Sequence, residues 1–169
     1  GDGVFVFAVR DSLLADSTQL AGALAHEVAH AWRVAKGLAG ETLAVEEPLT
    51  DLTCVHLGFG VLVANGSCLD PSRGERTGMI ATTRWSHERV GCLETRDLCF
   101  ALAVQAVACG LTPRGIRRWL DPTQEASFAV AFEELKDAQA ELSERLGLPP
   151  RDGWPAAWEH PSIAHTGAA

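Results

Sequence analysis

The stretch Ser17-Thr18-Gln19-Leu20-Ala21-Gly22-Ala23-Leu24-Ala25-His26-Glu27-Val28-Ala29-His30-Ala31-Trp32-Arg33-Val34-Ala35-Lys36 decides how the rest of the chain is read. Leu20, Ala23, Leu24, Val28, Ala31 and Val34 recur at the spacing of an amphipathic helix. Asp16 or Ser17 can cap its start, Gln19 could close a capping box with Asp16, and Gly37 supplies its stop. Within it, residues four apart stand on one face, so His26 and His30 present two imidazole nitrogens to a single metal ion. Glu27 is badly placed to bind that ion but can reach a water on its open side, which is where a general base belongs. Ala25, Ala29 and Ala31 keep the flanks of the histidines small, as expected where another backbone comes close.

A catalytic zinc takes three protein ligands and a water, so a third ligand is expected downstream. A linker is expected from Leu38 to Glu47, with Pro48 opening a second helix, and Glu46, Glu47 and Asp51 all lie near the start of that helix. Glu47 and Asp51 share a helix face by their four-residue spacing. One could bind the metal while the other receives the outer N–H of a zinc-bound histidine and fixes its ring. Two imidazoles and a carboxylate suit zinc better than calcium or magnesium, which prefer oxygen shells.

With His26-Glu27-Val28-Ala29-His30 and then Glu47-Pro48-Leu49-Thr50-Asp51, the chain resembles the gluzincin branch of the zincin metallopeptidases. It also resembles a group of small bacterial HExxH proteins that share a run like Glu-Pro-Leu-Thr-Asp-Leu. The resemblance covers mainly residues 4–64 and, more loosely, 85–109. It implies that His26, His30 and Glu47 hold zinc, that Asp51 orients a histidine and that Glu27 is the base, with Glu46 as the rival ligand. Zincins often use a Tyr or His to stabilise charge on the carbonyl oxygen, and this chain has no tyrosine. Where the small bacterial proteins have Gly-Tyr-Leu, it reads Gly91-Cys92-Leu93. His87 is the best remaining donor, with Arg89 close behind.

The fold expected is α+β and predominantly helical, a compact zincin-like domain with a small sheet over residues 1–150, followed by a tail at 151–169. Val4 to Val9 reads as a buried strand and Met79 to Trp85 as a second, short one, either of which could align an extended substrate by backbone pairing. Further helices are expected at Leu49–Val63, Thr95–Cys109, Pro113–Leu120 and Gln124–Leu146, the loop 65–76 intervening. Gly58 and Gly60 suggest a close helix contact, and His56 reads as a core or interface histidine, whereas His160 and His165 sit in the tail without an assigned role.

At 169 residues and 47% hydrophobic, the chain can form one domain with a substantial core. Its net charge of −8 argues against a nucleic-acid partner. No apolar run is long enough for a membrane span. Cys54, Cys68, Cys92, Cys99 and Cys109 form no CxxC pair and read as reduced thiols of a cytoplasmic protein. The chain begins Gly1-Asp2-Gly3, as a trimmed or excised domain would. The first expectation for function is a zinc-dependent metallopeptidase acting on a peptide. Two others stand beside it: zinc chemistry on a small molecule or modified peptide in a biosynthetic pathway, and a metal-stabilised binding domain without catalysis. Oligomeric state is not legible.

Overall fold

The computed structural model describes residues 5–9, 11–67 and 93–149. A 3-10 turn at Asp11–Ala15 leads into α1 (Ser17–Ala35), α2 (Leu43–His56), α3 (Gly60–Gly66), α4 (Thr95–Ala108), α5 (Pro113–Arg117), α6 (Pro122–Leu135) and α7 (Gln139–Arg145). Among the described residues there is no strand, so the fold is all-α and not the α+β domain with a small sheet that the sequence suggests. Residues 5–9 have no regular structure, and Val6 is 87% exposed. β-branched residues favour a strand only where a partner ladder and a packed face exist, and the described residues supply neither to this run. The second expected strand, Met79 to Trp85, lies outside the described residues, as do His87, Arg89, Gly91, Cys92, Cys68 and the tail 151–169.

Helix α4 is the central element. It packs most extensively on α6 and also meets α2, α3 and α7. Leu98, Cys99, Leu102, Ala103 and Ala106 of α4 are buried with Phe128 and Ala131 of α6, and the same core takes in Ala25 and Ala29 of α1, Cys54 and Val55 of α2, and Val63 and Ala64 of α3. Thr95 is the first residue of α4, and its hydroxyl lies 3.0 Å from Ser67 Oγ. The core is built largely from small side chains, so helices come close. Where α1 crosses α3, a Cβ on Gly22 would lie 3.0 Å from Leu62 O and 3.1 Å from Gly66 Cα.

Asp16 caps α1, its Oδ1 accepting from Thr18 N at 3.0 Å and Gln19 N at 3.1 Å. Helix α2 starts five residues before Pro48, at Leu43, with the amides of Val45 and Glu46 bonding to Thr42 O. Pro48 thus sits inside the helix, where the N–H it lacks would have reached Ala44 O. The expected helix Leu49–Val63 divides at Gly58, whose φ of +88° suits a residue without a Cβ. The expected Gln124–Leu146 helix likewise divides, between Leu135 and Gln139. No helix among the described residues is long and apolar enough to cross a membrane.

Candidate metal centre

The site lies between α1 and α2. Four-residue spacing brings His26 and His30 together, their ring centroids 4.7 Å apart and the rings nearly perpendicular. Early initiation of α2 matters here. A residue before proline ordinarily leans toward extended backbone, but Glu47 is already helical, so it stands one turn from Asp51 on the face that meets α1.

Asp51 is fully buried. Its Oδ1 lies 2.9 Å from His26 Nδ1, and its Oδ2 accepts from Leu93 N at 2.9 Å. The other nitrogen of the buried His26 ring, Nε2, lies 3.0 Å from Glu47 Oε2, and His30 Nε2 is 3.5 Å from Glu47 Oε1. Burial favours the neutral form of His26, but hydrogen bonding to Asp51, with the Cys54 sulfur adding to it, outweighs this and lifts its pKa to about 10.

Glu46 is occupied elsewhere. Arg33 Nε donates to its Oε1 and Arg33 Nη2 to its Oε2, both at 3.0 Å, and Gly40 N–H also donates to Oε2. The Arg33 fork, then the Gly40 amide, hold this carboxyl at about 2 in spite of burial, which opposes them. Arg33 is itself buried and is tied further to Leu38 O at 2.6 Å and Thr53 Oγ1 at 3.3 Å. Arg33 and Thr50 escaped the sequence reading. A signal existed for Arg33, which lies three residues after His30 on the same face and faces the acids of α2.

Among the described residues, His26, His30 and Glu47 form a group able to hold a metal ion, with one ligand atom from each lying within 4.8 Å of the others. Two imidazoles and a carboxylate are a donor set that zinc accepts, and bonds of about 2.0–2.1 Å in a tetrahedron would leave neighbouring donors about 3.3 Å apart, against the 3.0 and 3.5 Å from the two histidine Nε2 atoms to the Glu47 oxygens. Glu27 is exposed on α1, next to His26 in sequence. His56 is not a core residue. It is exposed at the end of α2, its ring 6.3 Å from that of Trp32. Cys54 and Cys99 are buried free thiols. Comparison of the chain with family models, curated proteins and solved structures finds no match.

Proposed function

We propose that this chain is a zinc-dependent hydrolase in which His26, His30 and Glu47 hold the metal, Asp51 orients His26 and Glu27 is the general base. The observation that carries this reading is the convergence of the three ligand groups, with Asp51 on the outer nitrogen of His26. When bound, zinc supplies a Lewis acid that lowers the pKa of a coordinated water toward about 7 and polarises a carbonyl. Glu27, open to solvent and held off the ligand set by its place on the helix, takes the water's proton and returns it to the leaving group. A peptide amide is the proposed substrate bond, on the gluzincin-like order of Glu27, Glu47 and Asp51 around the two histidines. Alignment of the substrate along a sheet edge is no part of the proposal, since the described residues contain no strand. His87 is proposed, from sequence, to donate to the charge developing on the carbonyl oxygen.

Metal analysis of wild type, His26→Ala and His30→Ala, together with turnover of a pool of internally quenched peptides by wild type and Glu27→Gln, tests this reading. Wild type should carry stoichiometric zinc and both histidine variants should lose it. Glu27→Gln should keep zinc and lose at least about a hundredfold in turnover, the lower end for a general base. His87→Ala should keep zinc and lose about 10²- to 10³-fold in kcat. Equal zinc in wild type and both histidine variants, or undiminished turnover by Glu27→Gln, would sink the proposal.

A further inference from the structure

Asp51 fixes His26, and His30 has an arrangement of its own. Its Nε2 faces Glu47. Its Nδ1 lies 3.1 Å from Thr50 Oγ1 and 3.3 Å from Glu46 Oε1. The Thr50 hydroxyl has one proton and two acceptors on Glu46, the backbone carbonyl at 2.9 Å and Oε1 at 3.4 Å; donation to the nearer one leaves it a lone pair to offer His30. Glu46, an ionised carboxylate in the grip of Arg33, can only accept. Both neighbours of Nδ1 are therefore acceptors. Glu47 Oε1 is an acceptor too, but at 3.5 Å from Nε2 it is the more distant and stands alone, so the proton is better served on Nδ1 and Nε2 keeps the lone pair that a metal ligand needs.

We propose that Thr50 and the Arg33–Glu46 pair are positioning residues for His30, fixing its Nδ1–H tautomer and its ring so that Nε2 is presented to a metal. This rests on the reading of His26, His30 and Glu47 as the ligand set. Two adjacent acids are thereby given separate tasks. Glu47 meets the Nε2 atoms of both histidines, while Glu46 is pulled away by Arg33, whose own ties to Leu38 O and Thr53 Oγ1 keep the carboxylate from swinging across. The pairing also cancels a charge. A bare carboxylate in the place of Glu46, almost as buried as Arg33, would compete with Glu47 for the cation.

The test uses the full chain with ¹⁵N-labelled histidine, and zinc as the only added ligand. In the metal-free wild type, at a pH where the ring is neutral, long-range ¹⁵N–¹H spectra should show His30 protonated at Nδ1. Thr50→Val removes the hydroxyl at nearly constant volume. It should shift His30 toward the Nε2–H form, leave the His26 signals in place and weaken zinc about 10- to 100-fold in competition with a chelating dye. Thr50→Ser should restore both readouts. Glu46→Gln should move them in the same direction as Thr50→Val, with its thermal midpoint followed separately. If the His30 tautomer and zinc affinity are unmoved in both Thr50→Val and Glu46→Gln, the positioning role is overturned and the ligand set stands. If wild type binds no zinc, the ligand set falls, and the tautomer of the metal-free ring still decides for or against Thr50 and Glu46.

Discussion

Glu46, Glu47 and Asp51 are chemically alike, and their partners alone make them different. Glu47 faces both imidazoles, Asp51 faces the outer nitrogen of His26, and Glu46 faces a guanidinium. Zinc affinity should therefore fall almost completely in Glu47→Ala and by about 10- to 100-fold in Asp51→Ala. Dye competition ranks them, and a larger loss in Asp51→Ala would exchange their roles. Arg33→Ala carries a different signature. Glu46 would be left buried without its counter-ion, so stability should drop by about 3–5 kcal/mol in urea titration. The same pair sets an acid limit. Arg33 holds Glu46 at about 2, below its ordinary 4.5, so its contribution is complete above the ordinary value and is lost as the pH falls toward about 2. The stability gap between wild type and Glu46→Gln should close over that window, and a gap independent of pH would show that the charge is not what stabilises. The Glu47–Asp51 spacing was legible in sequence because helical period alone brings the two onto one face. The Arg33–Glu46 pair was less so, because it depends on how residues 36–42 turn, which no periodicity specifies.

Small residues govern the approach of the elements. Gly22 on α1 and Gly66 on α3 meet backbone to backbone, which fixes how deeply α1 sits against the core. In an isolated helix Gly22→Ala would gain up to about 1 kcal/mol of propensity. Here the new methyl would meet a carbonyl oxygen and a Cα, neither of which can rotate away, and overpacking of this kind costs about 1–3 kcal/mol. The second effect should win, and Gly22→Ala should have a lower urea midpoint than wild type. An unchanged or higher midpoint would mean that the crossing is slack. Helix existence was readable from apolar spacing, and Asp16 supplied the cap expected of it. Boundaries were less readable. Pro48 looks like a helix start but lies within α2, because its missing N–H costs only one bond in a helix whose Thr42–Glu46 turn is already closed. Gly58 looks like a packing residue but ends α2 by its left-handed backbone.

At the scale of the molecule, the described residues hold no part of the expected sheet, because Val4 to Val9 was judged by composition, whereas a strand exists only with a partner, and partners are not written in a local run. The histidine pair survives that failure because its geometry is internal to one helix. What the whole fold adds is the second helix. His26, His30 and Arg33 belong to α1, Glu46, Glu47, Thr50 and Asp51 to α2, so most of the side-chain ties at the site join these two elements. Asp51 extends the connection to the entrance of α4 through Leu93 N, while α6 and α7 meet α4 and contribute nothing polar to the ligand set. A metal held here should accordingly couple α1 to α2 and leave the α4–α6 pairing to its own apolar core. At a free zinc concentration a thousandfold above the dissociation constant, binding to the folded chain alone adds about 4 kcal/mol. Chelation should lower the thermal midpoint, and added zinc should restore it in wild type but not in His30→Ala. Amide hydrogen exchange should then accelerate in α1, α2 and the residues entering α4, with α6 and α7 little changed below global unfolding. Equal acceleration in all of these helices would show that the metal holds the whole fold, and acceleration confined to α6 and α7 would place the bound zinc away from His26, His30 and Glu47.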